Sequence, residues 1–577
     1  MNIFDKLKQH INQIAEKNFN YTPNQNQLSV ELPKDTSHGD LSTNIAMLLA
    51  KPLGKSPLEI AKIVKKELEE LSFVEDVTIA GPGFINLKLK ADIWYQILAD
   101  IIEQGLSFGD NNLGKGEAIN IEFVSTNPTG PMHIGHSRGG IYGDSLANLM
   151  TKCGYKVTKE FYINDAGAQI NTLAKSAYLR YLEASGEVFE SIPEGLYPGN
   201  YLVPVGQTLF KQHGETLKNM EESVRLEIVK EFVVAAMMQL IRNDLELLGV
   251  KYDVFFSEKT LHQENKITEI IQELQARDIV YRGVLPPPKG KMTDDWEARE
   301  QLLFRTTNFG DDVDRSLQKS NGDWTYAAAD VAYMKNKIDR GFKKITMVLG
   351  ADHLGYKKRM QATAHALGGD EIEFEIKFCQ IVNFLKNGQP FKMSKRKGTF
   401  ITVEDVLDEV DKDLVRFVML TRRNDQVLDF DLEKVKEQSK DNPVFYVQYA
   451  NARVNSILKN ANEQNPDYMK RINEASYNLI LLGREEEISL IKLMASWSKI
   501  VELACIHQEP HRIAFYLIEL ASAFHSFWSK GNEDASLKFV IPNDFETSLA
   551  RLALAKAVNI IISSGLKIFN VVPIEKM

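Results

Sequence analysis

Residues 127–140 read "NPTGPMHIGHSRGG", from Asn127 to Gly140. Two prolines, four glycines and two histidines stand between an apolar run and a run with helical spacing. Upstream, "AINIEFVS" alternates as a strand. Downstream, "GHSRGGIYGDSLANLMTKCG" has the period of a helix that ends near Gly154, and "YKVTKEFYIND" is strand-like again. This βαβ order predicts a parallel sheet with right-handed crossovers. The quoted stretch then falls at the carboxyl end of the first strand, where open α/β sheets bind ligands. His133 and His136, at i and i+3 of the helix start, share a face. Gly135 between them leaves the backbone open to a planar ring or a phosphate, and free N–H groups with the helix dipole favour an anion. The stretch therefore suits a nucleoside triphosphate. An HxxH pair with no third ligand is weak zinc evidence, so no metal site is assigned.

Working outward, 577 residues exceed what one core can organise, and three or four domains are expected. Apolar content of 44% and charged content of 25% are those of an ordinary globular chain. Residues 1 to 113 read as an α+β unit. "NQLSVELP" is its first strand, "DLSTNIAMLLAKPLGKSPLEIAKIVKKELEEL" holds two helices broken at Pro52–Gly54, and "FVEDVTIAGPGFINLKL" is a strand pair turning at Gly81–Gly83. The glycine-rich stretch Gly105–Glu117 marks the boundary. Residues 114–435 alternate strands and helices, with a largely helical insertion at 166–280 and further strands at "KKITMVLGADH" and "FEIKFCQIV". From about 402 to 577 the period is almost wholly helical, with one strand-compatible stretch, "LKFVIP", and 436–577 forms the last domain. The fold class is thus multidomain α/β: a Rossmann-type parallel-sheet domain with a helical insertion, an α+β domain before it and an all-α domain after it.

Cys153, Cys379 and Cys505 form no CxxC pair, which fits a reducing compartment. The N-terminus lacks the apolar core of a signal peptide, and no run of about 18 apolar residues spans a membrane. The chain is expected to be cytoplasmic. A net charge of −9 argues weakly against nucleic acid but leaves local basic patches open.

A second stretch adds to the first. "FKMSKRKGTFITVEDVL" carries Lys392, Lys395, Arg396 and Lys397, then Thr402 with Asp405 three residues on, a capping box that announces a helix. "HIGH" at His133–His136 followed by "KMSK" at Lys392–Lys395 resembles the paired signature of the class I aminoacyl-tRNA synthetases. That resemblance implies ATP as substrate, with Mg2+. His133, Gly135 and His136 would hold and polarise its phosphates, with Met393, Ser394 and Lys395 closing over them. His133, His136, Lys392 and Lys395 would be the catalytic groups, Lys395 the main one. The chemistry is coherent: a carboxylate attacks the α-phosphorus, pyrophosphate leaves, and the protein positions and neutralises growing phosphate charge.

"EFVSTNPTGPMHIGHSRGG", "YINDAGAQI", "KYDVFFSE", "FRTTNFGDDVDR", "TYAAADVAYMKNKIDRGF", "VLGADHLGYKKRM" and "DFDLEKVKEQSKDNPVFYVQYANAR" resemble the arginyl-tRNA synthetase family specifically. The likeness runs from "ELPKDTSHGDLSTNIA" to Met577. It implies an arginine site at Asn127 with Ser125 beside it, His136, and Tyr326 and Asp330 of "TYAAADVAY". Those last two lie at i, i+4 on one helical face, and a carboxylate suits a guanidinium fork. Asn164 and Asp165 would help line the pocket. His353 stands about where some members have a glutamine.

The same resemblance implies a tRNA(Arg) partner. Phe84 and Asn86 would meet the tRNA elbow, and Tyr446, Tyr449, Asn451 and Arg453 the anticodon. Residues 441–577 hold 14 Lys+Arg against 15 Asp+Glu, so binding there needs local patches and base stacking, not bulk charge. Phe524 and Trp528 read as core residues of their helix. The chain is expected to act as a monomer, without a membrane partner. Rival readings are another class I synthetase such as the cysteinyl one, which uses a zinc site, or one for branched aliphatic amino acids, which carries a large editing domain. A small-molecule nucleotidylyltransferase and a non-catalytic tRNA-binding paralogue complete the set.

Overall fold

In the computed structural model, which describes residues 2–25, 27–33, 35–285, 299–390, 401–439 and 441–577, the strand of "AINIEFVS" is β1 (Ala118–Phe123). It is the middle strand of a five-stranded parallel sheet with β2 (Lys156–Ile163), β3 (Val254–Ser257), β4 (Lys344–Gly350) and β5 (Glu373–Cys379). The spatial order is β5–β4–β1–β2–β3. Successive connections leave β1 in opposite directions, so a crevice opens between the carboxyl ends of β1 and β4, the switch point of a doubly wound sheet.

The first crossover is α1 (Ser137–Lys152). It packs so closely on β1 that a Cβ on Gly143 would lie 2.3 Å from Cγ of Phe123, which only glycine tolerates. Two later helices flank the crevice: α2 (Tyr326–Asp339) and α3 (Lys357–Gly368). Besides apolar packing, α2 is tied to the sheet by buried polar groups. Lys337 Nζ meets Glu122 Oε2 at 2.6 Å, and Tyr333 Oη donates to Glu160 Oε1 at 2.6 Å. Just past α2, Arg340 Nη2 reaches both oxygens of Glu160 at 2.8 and 2.7 Å, and Asn120 Nδ2 adds a bond of 2.8 Å. A charge left unpaired at this depth is costly, so the network pins the register of α2 over β1 and β2.

The insertion departs from its helical reading in two places. Helices Ala168–Ala184, Val203–His213 and Glu222–Leu247 share a core of Leu173, Tyr181, Leu209, Val233 and Met237. "KYDVFFSE", however, contains β3, and Val280–Val284, Glu300–Phe304 and Arg315–Ser316 form a small antiparallel sheet. Strands of two to five residues show no period of their own and exist through pairing, as Val254–Ser257 does against Glu160–Ile163. Beyond residue 402 a further strand, Leu428–Asp431, pairs with Val382–Lys386. "LKFVIP" instead begins in the turn Ala535–Leu537 and ends in one bridge, Ile541 to Asp544.

Two compact units account for the chain: Gly114–Glu437, and Met1–Leu113 together with Gln438–Met577. Within the second, an antiparallel sheet runs Val30–Glu31, Leu41–Thr43, Phe84–Leu89, Val74–Ala80. The helix Trp497–His507 is joined to the first segment by Trp497 Nε1 donating to the Phe108 carbonyl at 3.0 Å. Tyr95 Oη donates to the Leu482 carbonyl at 2.8 Å, and Lys492 pairs with Asp40. The helix Phe545–Ile568, 24 residues long, is apolar and long enough to cross a membrane, contrary to the sequence reading. It is the buried central helix of this bundle, and its apolar surface is covered by its neighbours.

Candidate active site

The chain leaves β1 through Val124 and Ser125, both left-handed, at φ 68° and 43°. A β-branched residue at positive φ is strained. The turn is closed by the Ser125 N–H donating to the Phe123 carbonyl at 3.0 Å. Ser125 Oγ accepts the Tyr162 N–H at 3.0 Å and donates to Glu122 Oε1 at 3.1 Å. The hydroxyl expected to sit beside a substrate thus fastens the exit of β1 to β2.

His136 ends a 3-10 turn, Ile134–His136, that His133 caps, and α1 begins only at Ser137. His133 folds back so that its Nδ1 accepts the Gly135 N–H at 2.8 Å. A Cβ on Gly135 would lie 2.8 Å from that nitrogen, so the glycine makes room for the ring. The expectation of free backbone donors here is corrected. The Ile134 N–H goes to the Ile401 carbonyl at 2.9 Å and the His136 N–H to the His133 carbonyl at 2.8 Å. The two imidazoles stand beside this turn with centroids 6.1 Å apart at 80°.

Burial lowers the pKa of His133. His136 keeps an exposed edge but is pushed down to about 4, by desolvation first and by His133 second, against the pull of Asp352. Both rings are neutral near pH 7. Because Nδ1 of His133 is an acceptor, its proton sits on Nε2, a donor suited to a phosphate oxygen.

Two residues that sequence reading did not single out hold this turn. Asp244 Oδ2, from the helix Glu222–Leu247, accepts the Met132 N–H at 2.7 Å, and burial pushes its carboxyl up to about 6. Arg138, buried at the start of α1, donates to the carbonyls of Gln380, Gln426 and Arg423 at 3.0, 2.5 and 2.8 Å. Neither stands in a recognisable local pattern. The lysine signature, with Lys392, Met393, Ser394 and Lys395, lies outside the described residues. The described chain after it returns to the histidine turn: Thr402 pairs with His133, and Thr402 and Asp405 form the expected capping box on the helix Val403–Leu407.

Across the crevice, Asn164 Nδ2 donates to Asn127 Oδ1 at 3.1 Å. A Cβ on Gly167 would lie 3.4 Å from both Asn164 Oδ1 and Tyr326 Oη, so Asn127, Asn164 and Tyr326 converge beyond β1 and β2. Tyr326 is exposed. One turn further along α2, Asp330 Oδ2 accepts Arg359 Nη2 of α3 at 2.9 Å, and the Arg359 guanidinium lies 3.9 Å from the Tyr356 ring. Burial pushes Asp330 up to about 6, Glu258 and Glu122 add to it, and Arg359 opposes. Glu258, another residue not singled out, is pushed up to about 7 by burial, with the Asp165 charge adding to it. Asp165 spends its carboxylate on Ser257 Oγ at 2.6 Å and the Lys259 N–H at 2.9 Å, and so caps the helix Glu258–Gln263. His353 is exposed, 3.4 Å from Asp352 Oδ2 and edge-on to Tyr356, and makes no contact with Asp330.

In the other unit, Phe84 is exposed, whereas Asn86 is buried in its strand. Arg453 is sandwiched 4.2 Å from the Tyr449 ring and 3.9 Å from the Trp528 ring, and donates to Tyr449 Oη at 2.6 Å. Tyr446, Tyr449 and Trp528 are half-buried, so Trp528 is not the core residue expected, while Phe524 is. Asn451 is also corrected. It is 1% exposed, donates to the Ile574 carbonyl at 3.0 Å and accepts from Asn559 at 2.8 Å, which makes it a clasp for the C-terminal segment.

Three family models match: an arginyl tRNA synthetase N-terminal domain over residues 5–89, a class I (R) tRNA synthetase catalytic domain over 98–197 and a DALR anticodon binding domain over 447–577. The chain is 52% identical to an arginine–tRNA ligase of Rickettsia bellii over 577 residues, 100% of both chains. It is 50% identical to that of Rickettsia prowazekii over the same span. A solved structure described as a putative arginyl tRNA synthetase of Campylobacter jejuni matches with TM-score 0.72 at 29% identity, over 85% of this chain and 100% of that one. The arginyl-tRNA synthetase of Thermus thermophilus shares the fold, with TM-score 0.73 at 19% identity over 99% and 100%.

Proposed function

The chain belongs to the arginyl-tRNA synthetases of class I, and on that premise we propose how its residues divide the reaction among them. The enzyme is an arginine–tRNA ligase. It activates L-arginine with ATP to arginyl-adenylate and passes the arginyl group to the 3'-terminal adenosine of tRNA(Arg), releasing pyrophosphate and AMP.

In our reading, His133 and His136 donate neutral N–H groups to the triphosphate. Neutral rings hold phosphate oxygens without a competing proton equilibrium, because both titrate below pH 7. Lys395, assisted by Lys392, neutralises charge on the leaving pyrophosphate, with Met393 and Ser394 beside it. Mg2+ would come with ATP and would help neutralise its phosphate charge. Among the described residues no three His, Cys, Asp or Glu side chains are grouped to hold a metal, and the donors at the histidine turn suit phosphate oxygen, not a hard cation.

Arginine lies with its guanidinium toward Asp330 and Glu258 and its backbone end toward Asn127, Asn164 and His136, with Tyr326 over the side chain. What supports this reading is the pair of upshifted carboxyls, half-buried Asp330 and buried Glu258, each raised by burial, with the Glu258 charge acting on Asp330. A pocket with that surplus of acid selects a cation. Phe84 is offered to the tRNA elbow, and Tyr446, Tyr449 and Arg453 to the anticodon. The enzyme acts as a cytoplasmic monomer in this account. The test is amino-acid-dependent pyrophosphate exchange with all twenty amino acids, with and without tRNA. Exchange with arginine alone, dependent on added tRNA, is expected. Equal exchange with another amino acid would overturn the assignment.

A further inference from the structure

Asp330 has a partner before any substrate arrives. Arg359 approaches with one nitrogen only, Nη2 to Oδ2 at 2.9 Å, and among the described residues no hydrogen bond reaches Oδ1. This is half of the two-point fork an arginine can make with a carboxylate. The guanidinium is steadied from the other side by the face of Tyr356 at 3.9 Å, and its Nε is buried without a partner.

The groups facing Asp330 come from every element around it. Arg359 comes from α3, Glu258 from the helix Glu258–Gln263, Glu122 from β1 and Tyr162 from β2, while Tyr356 stacks on Arg359 and His262 lies 3.6 Å from Glu258. Lys337 of α2 itself pairs with Glu122. His262 is held neutral by burial, and burial pushes the Tyr162 hydroxyl well above its usual range. Three carboxyls, Asp330, Glu258 and Glu122, thus face two fixed cations, Lys337 and Arg359. With Glu258 pushed up to about 7 and so only partly ionised near pH 7, the acids around Asp330 still leave negative charge for an arriving cation to offset.

We infer that Arg359 is a positioning residue for arginine: by holding Oδ2 of Asp330 it leaves Oδ1 to the substrate, so that one carboxylate serves two guanidinium groups, one from the chain and one from the substrate. The inference rests on the placement of Asp330 in the arginine site. Arg359 does two things there. It fixes the carboxylate plane, since one oxygen cannot turn while the other is tethered. It also keeps the carboxyl ionised among neighbouring acids. Burial, Glu258 and Glu122 all push Asp330 up, and Arg359 pulls it down. Without Arg359 the carboxyl would take up its proton at higher pH and lose its hold on a cation.

The experiment measures aminoacylation at saturating ATP and tRNA, from pH 5.5 to 8.5, in the full-length enzyme and in Arg359→Gln, Arg359→Lys and Asp330→Asn. In Arg359→Gln, KM for arginine should rise about tenfold at pH 7 with kcat changed less than about threefold. The acidic limb of kcat/KM for arginine should move up by about one pH unit. Arg359→Lys, which keeps the charge, should return the limb toward its wild-type position. KM for ATP and the thermal midpoint serve as folding controls, and a merely structural role would not move the pH limb selectively. If Arg359→Gln keeps both the arginine KM and the limb while Asp330→Asn raises KM, Arg359 has no positioning role and the arginine site stands. If Asp330→Asn also leaves arginine unaffected, the site assignment itself falls.

Discussion

His133 and Thr402 face each other as an antiparallel bridge, and the bonds from Ile134 N–H to Ile401 (2.9 Å) and from Val403 N–H to Met132 (3.3 Å) flank it. The chain emerging from the lysine signature is thereby fastened to the histidine turn, and the capping box of Thr402 and Asp405 stiffens the joint. Residues 132–134 and 401–403, far apart in sequence, are thereby paired.

Lys395 precedes that joint by six residues in the sequence. Lys395→Ala should slow adenylate formation by about 10²-fold, roughly 3 kcal/mol of transition-state stabilisation. Arginine affinity should barely move. Single-turnover activation by rapid quench checks it, and a near-normal rate would remove Lys395 from the chemistry.

Asp330→Asn keeps the shape of the carboxylate but removes its charge, and it leaves Arg359 without its anion as well. Breaking one partner of a desolvated pair costs about 3–5 kcal/mol. The kcat/KM for arginine should fall about 10²- to 10³-fold with KM for ATP nearly constant. Citrulline and lysine should remain poor substrates of the wild type, one lacking the charge and the other the fork. Steady-state kinetics with the three amino acids decide it.

Tyr449→Ala removes one face of the Arg453 sandwich. If this aromatic cluster stacks on an anticodon base, KM for tRNA should rise about tenfold, in line with roughly 1–3 kcal/mol per stacked base. Arginine-dependent pyrophosphate exchange at saturating tRNA should be unchanged. A point variant is the better probe than truncation, because residues 438–577 pack with residues 1–113 as one unit and removing them would expose its interior. Unchanged charging kinetics would mark the cluster as structural.

Lys337→Met should destabilise the enzyme by about 3–5 kcal/mol, since it leaves Glu122 buried, with only a serine hydroxyl for company. Pairing it with Glu122→Leu should recover much of the loss, because an apolar pair of similar volume pays no desolvation. Denaturant melts of the two variants compare them directly. Equal stability of Lys337→Met and wild type would mean that the ion pair contributes nothing net.

Much of this was legible in the amino-acid order. The strand–turn–helix at 118–152, the hairpin turning at Gly81–Gly83, the break near Gly54 and the capping box at Thr402 are local patterns. Period, turn chemistry and caps act over a few residues, so a linear reading recovers them. The histidine and lysine signatures and the Tyr326–Asp330 spacing are local in the same sense. Only the folded chain decided who meets whom. β3 exists because β2 offers it an edge, Asp244 reaches Met132 from the end of the inserted helices, and Asn451 and Asp165, polar residues in suggestive places, turn inward as a clasp and a cap. The carboxylate assigned to the substrate already holds Arg359. These partners lie tens to hundreds of residues apart, where spacing carries no period. What pairs them is the desolvation cost of a buried charge or donor, and that cost arises only once the surrounding elements have packed.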